Sequence, residues 1–259
     1  VAVLFRLVSL ASGDNHVLSL LLTVLAVASM FYGNLIALMQ KDFKRLLGFS
    51  GIAHAGYALV GFVALSNAGY AAALFYIVGY FLMVLACFVV ISSVSRDGQN
   101  VSIDELAGLH KRAPLLAVTL GIGVFALAGL PPFVGFMGKL SLLTAAWQKG
   151  HSTLVILAMV NAAIAVYYYL SVVREAWFRD PGERPPIRLS WSTRALCLIL
   201  IAGILALGIA PARLLDTFSN SVNRMSLGPA PSAGLALTSA AQEFQKVQPD
   251  NSKSTGPVN

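Results

Sequence analysis

The sequence predicts an all-α polytopic membrane protein, with six transmembrane helices plus a helix stub and one helix broken at Pro131-Pro132. Three observations carry this reading. Hydrophobic residues make up 57% of the chain and charged residues only 11%, where soluble domains carry about a quarter charged. The apolar residues form long continuous runs, unlike the ~10-residue alternations of a membrane β-barrel, and mean hydropathy is +0.76. The longest run, 115–147, is interrupted by two prolines with glycines beside them.

The elements follow in order. Residues 1–10 read as the tail of a helix with no start signal and no basic region ahead of it, so a truncated start is expected. A turn at 12–15 leads to a first span at 17–39, followed by the basic connection 40–45. The second span, 46–65, is closed by the polar stretch 66–69, and the third is 70–94. A polar connection at 95–113 carries Arg96, Asp97, Asp104, Glu105, Lys111 and Arg112; Asp104 and Glu105, like Asp42 with Lys44 and Arg45, read as solvated loop charges. After the broken segment come a span at 153–177, a Pro/Arg-rich loop, and a last span at 194–215. Residues 1–216 form one transmembrane domain; 217–259, rich in Ser, Pro, Gly, Gln and Asn, are expected to be a disordered tail.

Charge fixes the orientation. Eleven Lys and Arg fall in the loops of one face, from Lys41 to Arg194, against Lys149 alone in the short loops of the other. The positive-inside rule then puts the carboxyl tail on the periplasmic face of a bacterial inner membrane. The net charge of +7 is therefore topological, and nucleic acid is not an expected partner; the lipid bilayer is. Cys87 and Cys197 lie in apolar runs and read as small hydrophobes, and no metal-spaced set of ligands is visible.

The broken segment holds the leading candidates. As one straight helix its 33 residues would reach about 50 Å, against a hydrocarbon core of ~30 Å. Pro131 and Pro132 donate no hydrogen bond, so the carbonyls of Leu127 and Ala128 lose their usual partners. Gly129 and Gly135 let other helices and water approach. Lys139 lies just beyond, in a region otherwise without charge. It reads either as a snorkelling side chain or as a buried amine, whose desolvation opposes the charged form and lets it load and release a proton. His54 shares a helix face with Ser50 and Tyr57, at spacings of four and three, and suits a water-linked relay. Its competing role is packing. Tyr76 and Tyr80 stand one turn apart, Asn161 and Tyr168 two turns apart; they read as structural or as a polar path, and 167–169 as an aromatic belt.

These residues carry a resemblance. Tyr32-Gly33-Asn34-Leu35-Ile36-Ala37-Leu38, then 44–57 from Lys44-Arg45-Leu46-Leu47-Gly48 to His54-Ala55-Gly56-Tyr57, then Leu127-Ala128-Gly129-Leu130-Pro131-Pro132 through Gly138-Lys139 and Tyr167-Tyr168-Tyr169-Leu170, resemble the antiporter-like membrane subunits of respiratory complex I. Tyr76 and Tyr80 stand where the L- and M-type subunits usually carry histidine, which points to the N type. Phe49 and Gly51 replace a more usual tyrosine and serine. The resemblance covers about residues 1–216. It implies the carboxyl-terminal half of a fourteen-helix proton channel built from two inverted five-helix repeats, with Lys139 on the broken twelfth helix. It further implies other complex I membrane subunits as partners and no cofactor on this chain, with NADH and quinone used by the whole complex. Two alternatives stand beside it: a subunit of a cation/proton antiporter or membrane-bound hydrogenase complex, and a purely structural membrane subunit.

Overall fold

A computed structural model describes residues 16–95 and 99–226. The expected stub at 1–10, the turn at 12–15, Arg96, Asp97 and positions 227–259 of the tail lie outside the described residues. Among the described residues the chain is helical and forms no strand, apart from one isolated bridge between Asp42 and Ser102. The helices are α1 (His16–Ala37), α2 (Phe43–Val63), α3 (Asn67–Val94), the short α4 (Leu109–Arg112), α5 (Pro114–Ala128), α6 (Val134–Gln148), α7 (Ser152–Phe178), α8 (Trp191–Ile209) and α9 (Ala212–Ser226).

Local chemistry explains most boundaries. Asp42 does not only carry a loop charge: its carboxylate accepts the Arg45 amide at 2.9 Å and caps α2. Ser66 caps α3 by accepting the Gly69 amide at 3.1 Å, so the polar stretch 66–69 opens the third helix rather than closing the second. Pro114 sits in the first turn of α5, where a missing amide proton costs nothing.

Five helices (α1, α2, α3, α7 and α8) are long and apolar enough to cross a bilayer. The expected sixth is divided: α5 and α6 have 15 residues each, about 22 Å apiece, so neither half crosses a ~30 Å core alone. The last expected span is also corrected. It stops at Ile209, because Pro211 has no amide proton to continue the ladder and holds Ala210 out of the helical region. Residues 212–226 then form α9, which takes in the first ten positions expected to be tail. Leu214, Leu215 and Phe218 pack on the core and Val222 is buried, while Arg213, Asp216 and Thr217 are exposed. The spacing of those apolar residues gives the helix a packed stripe; general polarity of the segment concealed it.

Small residues set how closely the helices approach, as expected where lipid offers no hydrophobic drive for association. A Cβ on Gly56 would lie 2.8 Å from the Ala26 carbonyl oxygen and 2.9 Å from the Met30 nitrogen, so α1 and α2 meet backbone to backbone. The charged connections are knitted into a collar at one end of the bundle. Phe43 N donates to Val101 O at 2.9 Å, Ile103 N to Lys41 O at 2.9 Å, and Arg112 Nη1 to Glu105 O at 2.8 Å. Gly108 N donates to Glu175 O at 3.3 Å and His110 Nδ1 bonds Ala176 O at 3.2 Å, which ties the collar to the last turns of α7. Lys111 pairs with Asp180 at 2.8 Å, and the bond and charge of that ammonium hold the carboxyl below its ordinary range.

Replacing Gly56 by leucine should wedge α1 from α2 and destabilise the fold by roughly 1–3 kcal/mol or more, the usual cost of overpacking. Gly48→Leu, where an added Cβ meets nothing within 4 Å, should be neutral. Thermal unfolding in detergent reads both, and equal midpoints for the two variants would show that the α1–α2 contact is not as described.

Candidate functional site

The break between α5 and α6 is a closed account of hydrogen bonds. Gly129 takes φ +86°, a left-handed conformation suited to glycine. Its amide donates to Phe125 O at 3.1 Å and Ala126 O at 3.0 Å, and the Leu130 amide reaches Phe125 O at 3.1 Å. The two carbonyls released by the prolines remain. Lys139 Nζ donates to Leu127 O at 3.0 Å and to Ala128 O at 3.1 Å. The amine therefore caps the half-helix in front of its own, where the negative end of the α5 dipole favours a cation.

Other residues make room for this arrangement. A Cβ on Gly129 would lie 2.9 Å from Lys139 Cδ and 3.1 Å from Nζ. One on Gly135 would overlap the Ala126 carbonyl, so that glycine lets α6 cross against α5. Lys139 is 6% exposed, which removes the snorkelling reading within this bundle. Its Nζ lies 4.9 Å from the centre of the Tyr57 ring, within cation–π range. Among the described residues the ion pairs are Lys111–Asp180, Arg174–Glu175 and Arg179–Glu175, none of them with Lys139. Beside the amine a cavity of about 450 Å³ is bordered by Tyr57, Gly129, Thr144, Trp147 and Met159.

His54 is buried between two hydroxyls. Nδ1 lies 2.6 Å from Tyr76 Oη and Nε2 lies 3.2 Å from Tyr169 Oη. A neutral imidazole donates from one nitrogen and accepts at the other, so the histidine links α3 to α7 through α2. The Tyr80 ring lies against it, tilted by 34° with ring centres 4.9 Å apart, beside a cavity of about 360 Å³. Gly51 leaves room for this ring: a Cβ there would come within 2.9 Å of the Tyr80 hydroxyl. Ser50 is buried, and its hydroxyl donates to Leu47 O of its own helix at 2.9 Å.

A second polar string was only half visible in the sequence. Asn34 and Asn161 are buried and paired across α1 and α7, with Asn34 Nδ2 donating to Asn161 O at 3.0 Å and also to Asn161 Oδ1. Tyr168 Oη donates to Asn34 Oδ1 at 2.8 Å, and Tyr57 Oη donates to Ala158 O at 2.8 Å. In the sequence Asn34 stands inside the motif at 32–38, and an amide within an apolar run is itself a signal. Residues 167–169 divide: Tyr167 is 74% exposed and fits a belt, whereas Tyr168 and Tyr169 are buried and belong to the two strings.

Comparison with known proteins follows the same lines. The family described as NADH:quinone oxidoreductase/Mrp antiporter, transmembrane, matches residues 1–165. The NADH-quinone oxidoreductase subunit N 2 of Opitutus terrae is 64% identical over 227 residues, covering 87% of this chain and 47% of that protein. The chain thus spans about half the length of the curated relatives it matches. A chain of respiratory complex I from Thermus thermophilus with bound aureothin matches with a TM-score of 0.66 and 34% identity, over 75% of this chain and 44% of that one. A chain of the membrane-bound sulfane sulfur reductase, an archaeal respiratory membrane complex, matches with a TM-score of 0.78 and 25% identity, over 87% and 46%.

Replacing His54 by phenylalanine keeps an aromatic ring but strands the Tyr76 hydroxyl, while Tyr169 keeps the Ser50 and Tyr168 hydroxyls as partners. The expected loss is roughly 1–3 kcal/mol for the group left unpaired, read as a lower unfolding midpoint in detergent. A midpoint equal to the parent would show that the Tyr76 hydroxyl does not depend on the imidazole.

Proposed function

The chain belongs to the NADH:quinone oxidoreductase/Mrp antiporter transmembrane family, and we propose that it supplies half of the proton-translocating subunit N of an NADH–quinone oxidoreductase. In this reading NADH oxidation and quinone reduction take place on other subunits, and this chain carries no redox centre. The partners are the neighbouring membrane subunits and the bilayer. The α5–α6 pair serves as the sixth crossing, the transmembrane domain expected at 1–216 extends into α9, and the membrane is the bacterial inner membrane.

The observation that carries the proposal is the Lys139 amine on its two carbonyls. An ammonium has three N–H groups, and two are engaged by Leu127 O and Ala128 O. Loss of one proton leaves a neutral amine with two N–H groups for the same two acceptors. The group can therefore exchange a proton without releasing the helix break. Burial away from any ion pair makes its charge responsive to hydration and to charge elsewhere, which is how a distant reaction could drive it. Tyr57, Asn161 and Tyr168 on one string, and Tyr76, Tyr80, Ser50 and His54 around the other, are the polar paths on which the proton would travel.

The 64% identity to a subunit N supports this reading over a subunit of a cation/proton antiporter or membrane-bound hydrogenase complex. The family description also names the Mrp antiporter, which favours the antiporter side of that second reading, and NADH-driven quinone reduction by the isolated complex separates the two.

Lys139→Met removes the amine. Lys139→Arg keeps donors for both carbonyls but never deprotonates at working pH. Proton translocation in vesicles holding the assembled complex should fall at least about tenfold in both, short of the 10²-fold or more that a positioned proton-transfer group typically contributes. A wild-type proton-to-electron ratio in the arginine variant would reduce Lys139 to a structural cap.

Orientation has its own check. A cysteine at Gly182 should be labelled from the cytoplasmic side and one at Ser232 from the periplasmic side. Labelling of both from one face would overturn the assignment.

A further inference from the structure

One face of α7 is uncovered along most of its length. Ile156, Val160, Tyr167, Leu170 and Phe178 are exposed at helical spacing, and Arg174 stands in the same row. From Ile156 to Arg174 the row rises about 27 Å at ~1.5 Å per residue, close to the ~30 Å of a hydrocarbon core. An apolar row of that length suits acyl chains, and the first charge on it falls at the level of the headgroups. Arg174 has a companion there. Glu175 is buried, and one of its carboxylate oxygens lies 3.4 Å from both Arg174 Nη2 and Arg179 Nε. The two arginine side chains remain 65% and 64% exposed.

The charges in this group do not balance. Two guanidiniums share one carboxylate, and the next acid along the chain, Asp180, is paired with Lys111 at 2.8 Å. A guanidinium carries five N–H donors, and Glu175 engages one nitrogen of each arginine. Ion pairs of such exposed side chains add little to stability, so holding the fold together is not their main effect. The chemistry fits a phosphodiester: two adjacent forks of donors, a net positive charge, and an apolar row leading away for the chains. We propose that Arg174 and Arg179 bind the phosphate of an anionic phospholipid in the leaflet on the collar side, with Glu175 the positioning residue that keeps the two forks side by side. Basic side chains beside a membrane draw anionic lipid in general; the buried carboxylate turns that attraction into a site of fixed geometry. This lipid site goes beyond the proton-translocating reading and does not depend on it.

The test places the assembled complex in phosphatidylcholine vesicles with a trace of diazirine-bearing phosphatidylglycerol, and reads crosslinking to the peptide that carries Phe178 by mass spectrometry. Labelling should fall severalfold when unlabelled phosphatidylglycerol is added in excess, and hold when phosphatidylcholine is added instead. Arg174→Gln combined with Arg179→Gln should lower it severalfold. Glu175→Gln separates a built site from plain charge. It raises the local positive charge by one, so general attraction would increase labelling, whereas a positioned pair should lose it severalfold. If Glu175→Gln does not assemble, Arg174→Lys with Arg179→Lys keeps both charges without the forks and should show the same loss. Labelling unchanged or raised in these variants would overturn the site, as would equal labelling by a diazirine-bearing phosphatidylcholine. So would an equal loss in Arg194→Gln, which removes the same charge from another exposed arginine. Labelling of Phe178 by neither lipid would show that a neighbouring subunit covers this face, and the site would fall with it.

Discussion

Two backbone oxygens and one amine organise this bundle. Adjacent prolines leave Leu127 O and Ala128 O without donors in a region where each unsatisfied carbonyl is costly, and the Lys139 ammonium answers both. The rest follows from making that reach possible. Gly129 turns the chain and leaves space for the amine, Gly135 lets the second half-helix pass beneath Ala126, and Gly208 of α8 leaves room for the Pro132 carbonyl, which a Cβ there would hit. The break is thus a well-satisfied structure held by a titratable group, not a frayed helix.

α7 is the common wall of both polar strings. Its Tyr169 meets His54, its Tyr168 and Asn161 meet Asn34, and its Ala158 carbonyl receives Tyr57. The collar fixes its last turns through the Gly108 and His110 contacts. A wall pinned at one end and bonded at mid-length to α1 and α2 sets the positions of five hydroxyl or amide groups at once.

Much of this was legible in the amino acids. Proline chemistry alone named Leu127 and Ala128 as the orphaned carbonyls, and the isolated charge named Lys139. What the sequence could not supply was the link between them, because it depends on the turn at 129–133 folding the lysine back over the end of α5. The His54 face was readable from helical spacing, but its partners Tyr76 and Tyr169 come from other helices, 22 and 115 residues away. Asn34 was hidden for a similar reason: one amide among apolar neighbours reads as incidental until a second amide, 127 residues on, is seen against it. At the far end Pro211 was a visible stop signal, outweighed by the hydropathy of the residues around it.

The acceptors of Lys139 are main-chain atoms, and this has a consequence for how the site can vary. No substitution at Leu127 or Ala128 short of a change in backbone path deletes the oxygens the amine holds. Sequence drift at those positions is free to tune packing while the electrostatic partner stays put. The interaction is therefore addressable from one side only, by replacing the lysine or by filling the space at Gly129. Second-site suppressors of a damaged Lys139 should accordingly not arise at its acceptors, but among the side chains that share its cavity.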